Sequence, residues 1–384
     1  MKSVTLKLTT LVMLLAAAIN VSNAQSNKIN VVTSAVPFLR ITPDARSGGM
    51  GDVGIATSAD ANSSFSNLAK TPFNSSKTGL AINYVPWLRD LAVNDVYLAS
   101  LAGFYKLSDD EAISASLRYF SLGSIQFTDN LGNDLQTFRP REFAIDAGYS
   151  RKLSAKSSLG IALRYINSNL ASGNVNGVNY KAGSAVAGDL SFYHHGAKEN
   201  GEGFNWGVAL SNLGSRISYT SDATQKDFIP ANLGFGGAYT KVFDEDNKIT
   251  FALDLHKLLV PTPPAVGDSA GLAKYRSKGV VGSWFSSFGD APGNISEELQ
   301  EVNASLGLEY WYNNQFAFRA GYFYENPSKG NRKFFSVGAG LKYNVFGLNF
   351  AYLFPSGNGV NRSPLSNTWR FGLVFDFDAD EAKK

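Results

Sequence analysis

The stretch TWRFGLVFDFD, residues 368–378, decides the fold expected for this chain. Every second residue from Trp369 to Phe377 is apolar and most are aromatic, while Arg370, Gly372 and Asp376 lie between them. Alternation with period two predicts a β-strand, because successive side chains of a strand point to opposite faces. An apolar, aromatic face opposite a polar one is typical of a transmembrane strand with lipid on one side and a polar lumen on the other.

The same alternation recurs in FAFRAGYFY (316–324), ITFALDLH (249–256), LGIALRY (159–165) and FAIDAGY (143–149). A soluble sandwich also alternates, but it turns its polar face to water. Here polar positions are few and aromatic residues concentrate at the strand ends, as in the interfacial girdles of membrane barrels. The sequence therefore predicts an all-β fold, a transmembrane antiparallel β-barrel.

About 14 candidate strands can be placed, an even number such as bacterial outer-membrane barrels have. They are predicted near residues 78–86, 94–107, 110–122, 141–152, 156–170, 180–193, 203–212, 228–242, 247–257, 302–313, 315–325, 333–344, 346–355 and 368–378. The connections between them alternate between short and long. Such barrels have short periplasmic turns and long extracellular loops, so an even strand count is expected to leave both termini in the periplasm.

The first residues predict export. Lys2 and Lys7 precede an apolar run at 11–19, and small residues at 22–24 form a cleavage site, so residues 1–24 are interpreted as a signal peptide.

After these residues, no apolar stretch of about 20 residues predicts a membrane-spanning helix. The chain contains no cysteine, which excludes a disulfide framework and a thiol nucleophile. Its 37 glycines, 13% aromatic and 17% charged residues favour one large β structure, and a net charge of +3 is too small to indicate nucleic acid.

The glycine-rich stretch GGMGDVG, residues 48–54, contains the G-x-G-x-x-G spacing of dinucleotide-binding loops. That spacing indicates dinucleotide binding only where a strand leads into it and a helix follows it. Here Pro37 and Pro43 precede it, and a Ser- and Asn-rich stretch follows. The stretch is therefore interpreted as tight turns of a compact segment, formed by Gly48, Gly49, Gly51 and Gly54.

The inward faces of the predicted strands carry both signs of charge: Arg118, Arg164, Arg319, Lys342 and Arg370 against Glu142, Asp146, Asp189, Asp254, Glu309 and Asp376. A pore selective for one ion sign would show an excess of the other sign. A balanced interior favours ion pairs with something that fills the barrel. We predict a plug at 25–77, a barrel at 78–378 and a periplasmic tail at 379–384. The predicted lumen network is Arg118, Asp146, Arg164, Asp254, His256, Glu309, Arg319 and Arg370.

The histidines offer little chemistry. His256 lies two residues from Asp254, which allows a catalytic dyad, but no serine partner can be identified and hydrogen bonding in the lumen is the preferred interpretation. The pair His194–His195 lacks the spaced further ligands of a metal site, so it is assigned to a polar periplasmic turn. We therefore predict no catalytic residues, no cofactor and no metal.

Several apolar residues fall in segments that should face water. Trp87 and Leu88 lie in the first long loop, and Trp284, Phe285 and Phe288 lie in the longest, which begins with PTPPAV. They either fold back to cap the barrel mouth or bind a partner, as buried aromatic residues commonly do at interfaces. The sequence leaves both interpretations open.

Residues 44–70, DARSGGMGDVGIATSADANSSFSNLAK, resemble the N-terminal plug of the FadL family of fourteen-stranded outer-membrane barrels. That family typically has Asn-Pro-Ala near the end of its plug, and Asn67, Leu68 and Ala69 stand here without the proline. Longer stretches are similar to the PorV family, the FadL-like barrels of the type IX secretion system. They are AVPFLRITPDARSGGMGDVGIAT (35–57), YVPWLRDL (84–91), LAGFYKL (101–107), ISASLRYFSLG (113–123) and REFAIDAGYSRKLS (141–154).

The resemblance to PorV implies a non-enzymatic role in the outer membrane of Bacteroidota-type envelopes. It implies four partners: membrane lipid, a large translocon barrel, cargo proteins with C-terminal sorting domains, and a sortase-like attachment complex that receives the cargo. A FadL-type transporter of hydrophobic small molecules is the first alternative, although the charged lumen argues against an apolar path. A lipid-modifying enzyme is the second, disfavoured because no nucleophile–base–acid set is recognisable.

Overall fold

The computed structural model describes residues 30–88, 94–128, 131–175, 178–222, 226–264, 267–356 and 367–379. The predicted signal peptide at 1–24 lies outside the described residues, as does the tail beyond residue 379.

Fourteen strands form one closed antiparallel barrel, which confirms the predicted fold class. The barrel strands are β1 (Ser76–Pro86), β2 (Val96–Lys106), β3 (Glu111–Leu122), β6 (Arg141–Ser154), β7 (Ser157–Asn169), β10 (Gly183–His194), β11 (Gly203–Gly214), β12 (Asn232–Val242), β13 (Asn247–Leu258), β14 (Asn303–Tyr312), β15 (Phe316–Tyr324), β16 (Lys333–Tyr343), β17 (Phe346–Pro355) and β18 (Thr368–Ala379). Pairing of β1 with β18 closes the ring. Each strand lies within a few residues of its predicted position.

Alternation along the strands separates an apolar outer face from a polar inner one. On β18, Trp369 and Phe371 are 42% and 46% exposed, whereas Arg370 between them is 0% exposed. Most outward residues of the other strands are likewise large, apolar and exposed. This pattern is the one that stabilises a barrel surrounded by lipid hydrocarbon.

The connections divide the barrel into two unlike ends. At the short-turn end, neighbouring strands are joined by as few as two residues, between β16 and β17. Asn313 and Asn314 of the β14–β15 turn both have positive φ values, 52° and 50°, as in the hairpin turns whose twist matches the strands. The other end carries the long loops and is called the long-loop end.

The long loops contain elements that the sequence pattern did not predict. Two small hairpins pair β4 (Ile125–Thr128) with β5 (Asp134–Phe138) and β8 (Gly173–Val175) with β9 (Val178–Tyr180). The loop between β13 and β14 contains helices α2 (Ser269–Ser277), α3 (Val280–Ser286) and α4 (Asn294–Gln300). None of the helices in the described part of the chain is both long and apolar enough to cross a membrane.

Residues 30–75, here called the inner segment, run through the barrel before β1 begins. The segment contains helix α1 (Ala45–Gly48) and 3₁₀ turns at Pro37–Arg40, Ser63–Phe65 and Leu68–Phe73. At the long-loop end, the Asn30 N–H donates to the Ser328 carbonyl over 3.1 Å. At the short-turn end, the ring of Phe73 lies 5.1 Å from that of His195.

The inner segment therefore passes once through the barrel, and the described chain begins and ends at opposite ends. The two ends of the full chain lie outside the described residues, so the periplasmic location of both termini stays a prediction.

Candidate functional site

A buried cluster of charges joins the inner segment to the barrel wall. Arg46 of α1 donates two hydrogen bonds to the Glu309 carboxylate, over 2.9 and 2.8 Å. Arg319, which lies directly opposite Glu309 in the β14–β15 ladder, donates to the same carboxylate over 2.7 Å. A third bond from Arg46 reaches Asp60 over 2.9 Å. The side chains of Arg46, Arg319 and Glu309 are at most 10% exposed, so their charges depend on one another for neutralisation.

Two further contacts hold the same part of the inner segment. Arg370 of β18 donates to Asp52 over 2.6 Å. One carboxylate oxygen of Asp254 on β13 accepts the backbone N–H groups of Gly54 and Ile55 over 2.7 and 2.9 Å. Both barrel residues are fully buried. Together with Glu309, they fix residues 46–55 from two parts of the ring: the neighbouring strands β13 and β14, and β18.

The remaining predicted lumen residues form separate groups on the wall. Arg164 pairs with Asp146 and, over 2.9 Å, with Asp189. Arg118 donates to the Leu39 carbonyl over 3.0 Å, and His256 is 3.1 Å from the Asn232 amide. The structure thus places all eight predicted residues on the inner face, but it divides them into several groups. Sequence reasoning missed Arg46, Asp52 and Asp60, because alternation identifies only residues on strands.

The glycines of the inner segment allow it to approach the wall. Gly51 has a φ of +67°, and a Cβ there would lie 2.7 Å from the Tyr322 nitrogen. A Cβ on Gly48 would lie 2.6 Å from Arg370, and one on Gly49 would lie 3.0 Å from the Cα of Gly338. At Gly54 the close neighbour is Ser66 of the same segment, at 2.8 Å. Among these four, only Gly51 has the left-handed conformation of a turn glycine, so close packing explains the others.

The histidines take part in packing and hydrogen bonding. His194 is 3.1 Å from the Ser157 hydroxyl, and the His195 ring stacks near Phe73. In the described residues no group of three or more His, Asp or Glu side chains could hold a metal ion.

A cavity of about 130 Å³ lies between the inner segment and the wall, lined in part by Arg118, Asp254 and His256. Its volume suits a few water molecules rather than a large ligand.

The predicted loop aromatics occupy two different environments. Trp87 and Leu88 pack against a buried cluster of apolar residues, and the Trp87 ring lies 5.3 Å from Phe120. Trp284 is half-buried, whereas Phe285 and Phe288 are 74% and 51% exposed. Trp87 and Leu88 therefore pack onto the barrel, whereas Phe285 and Phe288 of the longest loop point outward.

Phe285 and Phe288 are two of five strongly exposed apolar residues in and beside α3 and α4, here together called the loop surface. Its other members are Val281, Ile295 and Leu299, each at least 59% exposed. These three were missed because the sequence analysis did not resolve helices in this loop. Exposed apolar areas outside a membrane belt mark interaction sites more often than chance.

Ion pairs anchor the loop surface to the barrel. Lys257 at the end of β13 contacts Glu298 and Glu301 over 2.8 and 2.7 Å, and Lys329 contacts Glu297 and Glu301 over 2.6 and 3.0 Å. Desolvation alone would raise the pKa of Glu297. The hydrogen bond and charge of Lys329 and the bond from the Gly293 N–H outweigh it, so the pKa of Glu297 lies below its usual value. These ion pairs therefore hold α4, which carries Ile295 and Leu299 of the loop surface, against the barrel.

The comparisons with known proteins agree with this architecture. The family model described as "Type IX secretion system protein PorV" matches residues 23–265. A comparison with curated proteins found no match.

Solved structures show the same fold at low sequence identity. The Ralstonia pickettii toluene transporter TbuX has a TM-score of 0.51 at 11% identity, covering 86% of this chain and 96% of its own. A deletion mutant of the monoaromatic hydrocarbon channel TodX has a TM-score of 0.52 at 13% identity, covering 87% and 99%. A Pseudomonas aeruginosa FadL homologue covers 88% of this chain and 99% of its own, with a TM-score of 0.47 at 13% identity. The first two structures show that the chain shares the fold of the toluene transporter TbuX and the channel TodX.

Replacing Glu309 by Gln should strongly destabilise the folded protein. The change leaves the buried guanidinium groups of Arg46 and Arg319 without their shared carboxylate, a loss of about 3–5 kcal/mol for a buried pair. The temperature at which the folded band unfolds on a semi-native gel measures the effect. Glu202→Gln, which removes an exposed partner of Lys241, is the control and should change little. Equal unfolding temperatures for the two variants would contradict the assignment.

Replacing Gly321 by Ala should displace the inner segment while the barrel ladder stays intact. The new Cβ would lie 2.1 Å from the Gly51 nitrogen and the Met50 carbonyl carbon, and overpacking of this kind costs about 1–3 kcal/mol. We expect faster trypsin cleavage after Arg46 and Lys70. Gly188→Ala is a matched control, since its nearest neighbour would be 3.5 Å away. Equal cleavage of the two variants would show that close packing at Gly51 is unimportant.

Proposed function

We propose that this chain, which belongs to the PorV family of type IX secretion system proteins, receives exported proteins at the outer membrane. In this proposal it binds the C-terminal sorting domain of each cargo protein as the cargo leaves the large translocon barrel. It then delivers the cargo to a sortase-like attachment complex at the cell surface. Neither the PorV family nor the FadL-type barrels are enzyme families.

The observation that carries this proposal is the contrast between a filled lumen and an exposed loop surface. Residues 46–55 cross the lumen and are fixed by Glu309, Asp254 and Arg370. The loop surface stands outside the barrel on ion-paired helices. A protein organised in this way is suited to binding a partner on its surface rather than to conducting one through its interior.

The proposal assigns the N-terminal region a plugging role. Residues 25–77 act as a plug, and the buried contacts of residues 30–75 support this role. An uptake route for hydrophobic molecules would need a continuous apolar path. The charged contacts at Arg46 and Arg370 and the small volume of the cavity argue against such a path.

Deletion of the gene tests the function directly. We expect cargo with C-terminal sorting domains to accumulate in the periplasm or to be released without attachment, and expression of the wild-type chain should restore attachment. Cell fractionation and surface labelling of one such cargo measure the outcome. Normal attachment combined with loss of hydrophobic-compound uptake would contradict the proposal and favour a transporter.

The loop surface should contribute directly to cargo or translocon binding. Truncating a buried interface aromatic costs about 2 kcal/mol or more, which corresponds to roughly thirtyfold weaker binding. Phe285→Ala combined with Phe288→Ala should therefore reduce cargo recovery in a pull-down from solubilised membranes and leave the unfolding temperature unchanged.

Trp87→Ala provides the matched aromatic control for that experiment. Because Trp87 packs against Phe120 and the buried cluster, its loss should lower the unfolding temperature and leave cargo recovery unchanged. Undiminished recovery with the Phe285/Phe288 double variant would remove the loop surface from the binding role.

The long-loop end should face the cell exterior. The chain has no cysteine, so a single introduced cysteine reports its own accessibility. Leu131→Cys, in the loop between β4 and β5, should react with a membrane-impermeant maleimide on intact cells. Asn314→Cys, in a short turn, should react only after the outer membrane is opened. The reverse pattern would show the opposite orientation.

A further inference from the structure

We propose that a groove on the outer face of the barrel binds one acyl chain of a membrane phospholipid. The groove has a volume of about 650 Å³ and crosses five neighbouring strands, β15 to β18 and β1. At the usual strand spacing, five strands extend over about 19 Å. This inference depends on the placement of the barrel in lipid and is independent of the proposed secretion function.

A single small residue creates the groove. The ladder register places Phe318, Ala339, Phe350, Phe371 and Tyr84 in one row across the strands. All except Ala339 are aromatic, and all five side chains point outward. Since the strands carrying Phe318 and Phe350 are about 10 Å apart, Ala339 leaves a gap between two rings that is wide enough for one hydrocarbon chain.

The chemistry of the lining suits hydrocarbon alone. The adjacent row consists of Phe316, Leu341, Leu348, Leu373 and Ile82. No charged side chain is among the described residues that line the groove, so a lipid headgroup has no ionic partner within it. The groove is continuous with the apolar outer belt, which hydrocarbon surrounds in an outer-membrane barrel.

An acyl chain fits this groove better than a neighbouring protein does. A gap one residue wide does not provide the broad complementary area of a stable protein interface, which is above about 1,000 Å². A flexible hydrocarbon chain can follow the row of rings and gain contact with each methylene group that it buries.

The test compares two substitutions of alanine by tryptophan on the outer face. Ala339→Trp fills the gap, whereas Ala147→Trp adds the same ring to the exposed face of β6 on the far side of the barrel. Each protein is extracted, partly delipidated and examined by native mass spectrometry. Wild type and Ala147→Trp should retain one phospholipid per chain. Loss of about ten van der Waals contacts predicts roughly tenfold lower retention by Ala339→Trp.

Controls keep the result decisive. A semi-native gel verifies that each variant folds, and Ala339→Leu serves if the tryptophan variant does not fold. A phospholipid carrying a photoreactive acyl chain should label β15 to β17 in preference to β6 and β7. The inference is overturned if wild type retains no phospholipid or if Ala339→Trp retains as much as Ala147→Trp. It is also overturned if the retained mass is a free fatty acid, a lipopolysaccharide or a second protein. Even labelling around the barrel would likewise contradict it.

Discussion

Glu309 lies between the guanidinium groups of Arg46 and Arg319, and the interior of the protein depends on this contact. A strand that faces hydrocarbon on its outer side must place its charged residues inside, where each of them needs a partner. The barrel provides one partner for Glu309, and the inner segment provides the other. Asp254 and Arg370 repeat the arrangement, since each binds the inner segment as well. Buried charged groups of the wall are therefore paired with groups of the inner segment.

The strands could be predicted from the sequence, but the course of the inner segment could not. Alternation such as that between Trp369 and Arg370 is a local consequence of having lipid on one side and polar groups on the other. The contact between Arg46 and Glu309 joins positions 263 residues apart, and no local pattern reports it. The passage of residues 30–75 from one end to the other follows from such contacts. For this reason the strands were predicted correctly, while the end-to-end course of residues 30–75 was not predicted.

In the loops, too, one property could be predicted from the sequence and another could not. The apolar character of Trp87, Phe285 and Phe288 could be read from the sequence, but their exposure could not. Trp87 is covered because it meets Phe120 and a buried cluster. Phe285 on α3 is 74% exposed, while Lys257 and Lys329 bind the carboxylates of Glu298 and Glu301 in the same loop. An anchored apolar surface beside a filled barrel is the basis for placing the function at the surface.

Ion conductance of the purified protein in a planar lipid bilayer tests the central claim that charged contacts keep the lumen filled. The account predicts no stable open-channel conductance for the wild-type chain. It also predicts that conductance steps appear when residues 30–75 are released from the wall, as in a variant that lacks both Arg46 and Asp52. A steady, porin-like conductance of the wild-type protein would contradict the account, since it would require a continuous aqueous path past the inner segment.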